Sequence, residues 1–336
     1  MKFPVFSIFI ATGIALSACS KSDNPAPIEE GKPTPEQPKP DEPDEDGNQE
    51  EIPTTTYNIR DLDYSQRYTK EPVVTTFAHQ TERELSGVTA SRINPDVLYM
   101  HGDSKNSAIL ITNTAGADLG RIVLEGQSTL DPEDIAVGPG PEEGKSYIYF
   151  ADIGDNDKVR RNIAVYRFEE PLITDDADEK LEIRVKDATK LLMNYPVSPY
   201  NAETLLVDPL TKDLYILTKE TYQAKVFRAA YPQDENTVLE ELLHMRSFDL
   251  FTAGDISVNG TEILLRNKSQ FWYWKRSPEQ SIVEAFMEAP LQVPYALNER
   301  QGEGIGFAAD GTGFFTNSEV KDWPDELSKL SFYGLK

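Results

Sequence analysis

The chain has 336 residues, 39% of them hydrophobic and 27% charged, which is enough apolar material for one large folded unit. Its net charge of −24 argues against nucleic acid or anionic lipid as partners, because a field of that sign repels phosphate. The single cysteine, Cys19, excludes a disulfide framework.

At the N-terminus, Lys2 precedes an apolar run, Phe3 to Ala18, that is interrupted by Ser7, Thr12 and Gly13. A spanning helix needs roughly 20 apolar residues, so residues 1–18 read as a signal peptide outside the fold. The run ends in Leu16-Ser17-Ala18-Cys19, which resembles the bacterial lipobox. The resemblance implies cleavage before Cys19, lipid on its sulfur, and lasting attachment, since several acyl chains hold where one alone does not. Residues 19–56 are then the lipidated cysteine and a spacer. From Ser20 to Thr56 it carries eight prolines and eleven Asp or Glu. Such a segment buries too little to offset its ordering entropy, so it is expected to stay disordered. At roughly 3.1 Å per residue it reaches on the order of 100 Å. Ser20-Lys21-Ser22-Asp23 is similar to the surface-export tags of lipoproteins from bacteria related to Bacteroides, with fewer acidic residues. The expected location is the outer membrane, on the cell surface or the periplasmic side.

From about Tyr57 the texture changes to short apolar runs and turn dipeptides. One pattern recurs five times: a polar residue, an apolar strand, a turn, and a second strand ending in polar residues. The copies begin at Ser86-Gly87-Val88, Glu133-Asp134-Ile135, Glu203-Thr204-Leu205, Asp255-Ile256 and Glu303-Gly304-Ile305. Gly87, Asp134, Glu203, Asp255 and Glu303 follow one another at intervals of 47, 69, 52 and 48 residues. A four-stranded propeller blade takes roughly 40–50 residues, so residues 57–336 read as an all-β propeller of five blades, with six as the alternative. The long interval holds a charged insertion near Asp175–Glu179. The last copy lacks a fourth strand, and Val73–His79 is placed to supply it by pairing with Lys329–Tyr333. Closure of that kind removes an open sheet edge.

Glu84-Leu85-Ser86-Gly87, the run Pro132 to Gly138, Ala151 to Asn156 and Gln301 to Ile305 resemble the shared pieces of secreted bacterial β-propeller proteins, over roughly residues 80–335. Leu85-Ser86-Gly87 also resembles the opening of phytase-like propellers, a family that implies calcium and ester hydrolysis.

Propeller topology places the start of each first strand beside the end of each second strand, on one face of the disc. The residues expected at that channel mouth are Glu84, Ser86, Glu133, Asp134, Glu203, Asp255 and Glu303. The second strands add His101, Asp103, Asp152, Asp155, Asn156, Lys219, Glu220, Arg266, Asn267 and Glu319. Side chains there can cap backbone groups and join blades. They can also bind a ligand, because crowded carboxylates repel one another unless a cation neutralises them. Calcium suits such a ring, with Glu133, Asp134 and Glu303 as its oxygen donors. The functional expectation is a monomeric, membrane-anchored module binding a glycan, peptide or other small polar molecule. The alternative is a calcium-dependent hydrolase in which Lys219 and Arg266 hold an anionic substrate and Glu133 or Asp134 activates water.

Other motifs fail. With Asp152 as position 1, position 12 is Ile163, where a calcium loop needs Glu, so Asp152 to Asp157 reads as an Asp/Asn-rich turn. His79, His101 and His244 show no zinc-binding spacing, and no nucleophile elbow or phosphate loop occurs. Phe271-Trp272-Tyr273-Trp274 alternates its rings between the two faces of a strand, which suits packing between blades or, less simply, a sugar platform. Replacing Cys19 by Ala is expected to abolish labelling of the protein by a fatty-acid analogue in cells. Undiminished labelling of that variant would overturn the lipid anchor.

Overall fold

The computed structural model describes residues 51–173, 180–296 and 299–336, and they form a five-bladed β-propeller. The chain first lays down β1 (Val73–Thr76), then builds blade 1 from β2 (Leu85–Ala90), β3 (Val97–Gly102), β4 (Ile109–Asn113) and β5 (Asp118–Leu124). Blade 2 begins with β6 (Pro132–Pro139), β7 (Ser146–Asp152) and β8 (Ile163–Glu169). The chain then crosses back to lay β9 (Leu181–Val185) parallel to β5, and returns as β10 (Thr189–Asn194), the fourth strand of blade 2. Blade 3 holds β11 (Ala202–Val207), β12 (Leu214–Thr218) and β13 (Gln223–Ala229). A second excursion, β14 (Asn236–Val238), pairs parallel to β10 before β15 (Glu240–Arg246) completes blade 3. Blade 4 consists of β16 (Ala253–Ile256), β17 (Glu262–Arg266), β18 (Phe271–Lys275), a short helix α1 (Ile282–Met287) and β19 (Leu291–Val293). Blade 5 is β20 (Gln301–Phe307), β21 (Gly313–Glu319) and β22 (Lys329–Gly334). The strand β1 supplies its fourth strand, with Val73 opposite Phe332 and Thr76 opposite Lys329, as the sequence led us to expect.

The long interval in the repeat is thus explained by β9, an excursion to a neighbouring blade. The charged stretch Asp175–Glu179 lies outside the described residues. Each innermost strand is buried on both faces, which is why these segments read as apolar or small runs without alternation. The five inner strands touch in a closed ring, β2 to β6, β11, β16, β20 and back to β2. Ring closure uses Gly304 and Gly306, where a Cβ would collide with the carbonyls of Ser86 and Val88.

Between each pair of neighbouring blades lies one hydrophobic cluster, five in all among the described residues. Strand alternation feeds two clusters at once. Trp272 and Trp274 pack towards blade 3, while Phe271 and Tyr273 pack towards blade 5. All four rings are buried, so this run is blade packing and not a sugar platform.

The segment ahead of β1 runs along the outer rim. Thr55 donates to the His244 carbonyl at 2.9 Å and His244 to Pro53 at 2.9 Å, on the edge of blade 3. Ser65 and Asp63 bond Gln292 on blade 4 in the same way, at 2.9 and 2.8 Å. Thr69 donates to Gly334 and Lys336 to Arg67, both at 2.9 Å, on blade 5. Folded contacts therefore begin at Pro53, within the stretch read from sequence as spacer. Tyr57 pins this belt edge-on to Phe248, and Tyr68 is buried against Tyr273 and Phe314. Removing residues 51–72 should uncover the outer edges of blades 3 and 4 while leaving β1 in place. The expected result is concentration-dependent association by light scattering, and a variant that stays monomeric and melts like the intact chain would count against the edge-covering role.

Candidate ligand site at one mouth of the channel

Four of the five inner strands break register against their partners near their starts, between Leu85 and Val88, Pro132 and Asp134, Ala202 and Thr204, and Gly302 and Ile305. A bulge of this kind re-aims the side chain of the extra residue. The residues at these bulges include Ser86, Glu133, Glu203 and Glu303, while unbulged blade 4 carries Gly254 at the matching place. Three glutamates from blades 2, 3 and 5 are thereby brought together, only 6%, 4% and 7% exposed. Lys219, at the end of β12, bonds Glu203 and is felt by Glu133 and Glu303 as well. Lys268 stands 3.6 Å from Glu303 at the rim.

Burial dominates the electrostatics here. It raises the Glu203 carboxyl to about 7, against the pull of Lys219 and with a push from Glu303. Glu133 is held well above the usual carboxylate range by burial, then by the charges of Glu203 and Asp131. Burial raises Glu303 too, opposed by Lys219 and Lys268. A neighbouring sector of the mouth repeats this chemistry. Asp103 is pushed up to about 7 by burial and by Glu84, Glu319 and Asp131, with Lys321 opposing. Lys321 pairs with Glu84, and Gln301 donates to Glu319.

Other residues expected at the mouth serve as joints between blades. Asp134 accepts from the amides of Ile135 and, across to blade 3, Leu205, each at 2.9 Å. Asp255 does the same with Ile256 and, across to blade 5, Phe307, each at 2.8 Å. Asn317 closes the ring, accepting from Gly304 and donating to the Gly87 carbonyl. His101 accepts from the Gly87 amide on Nε2 and contacts Gly102 O through Nδ1, and burial lowers it to about 4, which fixes a neutral ring. Arg266 is fully buried and donates to Glu299 at 2.7 Å and to Gly304 O at 2.9 Å. It stacks over Phe271 and bonds the carbonyls of Asn267 and Asn317. A guanidinium so engaged is a structural group, which takes Arg266 out of the anion clamp of the hydrolase reading. Asp152 accepts from the amides of Leu130 and Asp131 and from Arg160, and Asp155 from those of Val159 and Arg160, so Asp152 to Asp157 is a self-bonded turn.

Of the expected calcium donors, Asp134 has both oxygens on backbone amides, which leaves Glu133 and Glu303 facing Lys219. Among the described residues, no group of three or more His, Cys, Asp or Glu is placed to hold a metal ion. Sequence reasoning missed Asp131, Lys268 and Lys321, which sit in loops just outside the repeated strands, and Glu299, whose partner Arg266 is distant in sequence.

The fold and site define a five-bladed β-propeller with one carboxylate-lined mouth. No family model and no curated protein matches the chain. Among solved structures it is similar to a chain of a nidogen/laminin complex, at 13% identity and a TM-score of 0.41, covering 72% of this chain and 74% of that one. A luciferin-regenerating enzyme matches at 11% identity and a TM-score of 0.40, over 79% and 95% of the two chains. A gluconolactonase from Xanthomonas campestris matches at 12% identity and a TM-score of 0.41, over 85% and 95%.

Joints and mouth residues should respond to substitution with opposite signs. Asp134→Ala orphans two buried amides and is expected to cost about 2–6 kcal/mol in chemical denaturation, at roughly 1–3 for each unmade bond. Glu203→Gln removes a disfavoured buried charge and should raise the melting temperature at pH 8 by on the order of 3 °C. A stabilising Asp134→Ala or a strongly destabilising Glu203→Gln would reverse the two assignments.

Proposed function

We propose that this protein is a membrane-tethered, extracytoplasmic binding module whose mouth takes a small polar ligand through a cationic group. The observation that carries this reading is the set of three nearly buried glutamates, delivered by bulges from three blades and served by Lys219 with Lys268 at the rim. Such a cluster relieves its repulsion by taking up protons, or by admitting a further positive charge. An amine-bearing glycan, peptide or metabolite offers that charge, and calcium is the competing cation. A concave mouth with convergent polar groups on a rigid ring is the usual setting for a small ligand. The lipid expected on Cys19 would hold the module outside the cytoplasm.

The pH dependence follows from the raised carboxyls. Glu203 stands at about 7 in the fold against 4.5 for the free side chain, so the folded state binds the extra proton between those values. Its contribution to stability is full below pH 4.5 and is lost as pH rises through 7. A bound cation should therefore stabilise most at pH 8 and least at pH 5. Melting would be followed at both pH values with calcium chloride, with chelator, and with the diamine putrescine. At 100 times its dissociation constant a ligand adds about 2.7 kcal/mol, which a melt resolves. The gain should vanish when Glu133, Glu203 and Glu303 are all changed to Gln. Melts that neither cation moves at pH 8 would sink the proposal. Turnover of ester or phosphoester substrates, lost in the same triple variant, would replace it with the hydrolase reading.

A further inference from the structure

The opposite end of the channel has different chemistry. There the inner strands turn back, and a cavity of about 270 Å³ lies among Ile93, Val137, Val207, Pro209, Ile256 and Val258. Into this apolar funnel blade 1 sends Arg92. The loop that carries it is held by Glu170 of blade 2, whose carboxylate accepts from the Arg92 amide at 3.2 and 3.3 Å and from Ser91 Oγ. The Asn94 amide bonds Ser91 Oγ at 2.7 Å, and the Asn94 side chain bonds Tyr99 and Pro171 O. The arginine is thus fixed before any ligand arrives. Its Nε donates to Val137 O at 3.4 Å, while Nη1 is buried with no hydrogen-bond partner. The carboxylate across the channel, Asp255, feels the Arg92 charge, yet it has its oxygens on the Ile256 and Phe307 amides and makes no hydrogen bond to Arg92. Lys145 also lines this end, but its ammonium is already paired with Glu142 at 2.9 Å and Glu169 at 2.8 Å, so Arg92 is the group left for an anion.

A buried guanidinium donor left unmatched among aliphatic side chains is costly unless an anion meets it. We propose that this end of the channel binds a small organic monoanion, its carboxylate on Arg92 Nη1 and its apolar body against Val137, Val207 and Ile256. At about 30 Å³ per water-sized group, the cavity admits a ligand of roughly nine heavy atoms. A short straight-chain or aryl carboxylic acid fits that description. The channel then carries a cation-seeking mouth at one end and an anion-seeking one at the other, so this site stands or falls independently of the first.

Hexanoate and its neutral counterpart hexan-1-ol are the probes, titrated calorimetrically into the full chain. Hexanoate is expected to bind with a dissociation constant near or below about 1 mM, in the range open to a ligand of about eight heavy atoms. Hexan-1-ol should bind at least tenfold more weakly, and Arg92→Gln should lose at least tenfold for hexanoate. Val258→Glu, at the half-exposed rim, places a like charge beside the ligand without touching the loop that holds Arg92. It should weaken hexanoate several-fold even where Arg92→Gln fails to fold. Equal binding of acid and alcohol, or hexanoate binding unchanged in Val258→Glu, would overturn the proposal, as would no heat from hexanoate at ten times the expected constant.

Discussion

The whole architecture depends on satisfying backbone groups at the outer edges of five sheets. A ring of blades removes no edge by itself, because each blade still ends in a strand whose N–H and C=O groups face outward. This chain covers them one at a time. Two strands, β9 and β14, are lent backwards to blades 1 and 2, each pairing parallel with the outermost strand there. The rim segment from Pro53 to Thr69 attends to blades 3 and 4 and crosses the end of blade 5. The same continuous piece then becomes β1, so edge protection and ring closure are one device.

At the centre the problem is inverted, since the inner strands crowd together and have polar groups to spare. Acidic side chains at neighbouring positions solve two different tasks there. At the position of Asp134 and Asp255, a short carboxylate reaches its own strand and the next one, stitching blade 2 to 3 and blade 4 to 5. One residue earlier, at the bulge, a longer glutamate is turned into the channel and left short of partners. The difference between a joint and a ligand group is therefore one residue of register and one methylene of length. Blade 3 has Thr204 at the joint position, and its hydroxyl finds no partner.

Much of the fold was legible because inner strands buried on both faces leave a strong sequence trace. The five copies, the closing strand and the aromatic run all follow from strand alternation and spacing. The excursions were not legible, since β9 and β14 are short, half-exposed strands whose meaning comes from a partner in another blade. The mouth was legible as a ring of carboxylates, but their division of labour was not. His101, Arg266 and Asp152 carry chemistry-bearing side chains, yet their fate is decided by burial and by amides that sequence spacing cannot place. Glu133, Glu203 and Glu303 were each expected at the mouth, but the repeat markers set Glu203 and Glu303 level with Asp134 and Asp255, because the bulges that separate the two positions leave no mark in composition.

The order in which the chain is made has a bearing on how this ring can form. Strand β1 precedes every blade in the chain, yet its partner β22 belongs to blade 5. Every inter-blade cluster except the one joining blades 5 and 1 can assemble from blades that follow one another in sequence, whereas that one joins the first blade to blade 5. Folding is therefore biased towards completion only once blade 5 is available, with the slow long-range step last.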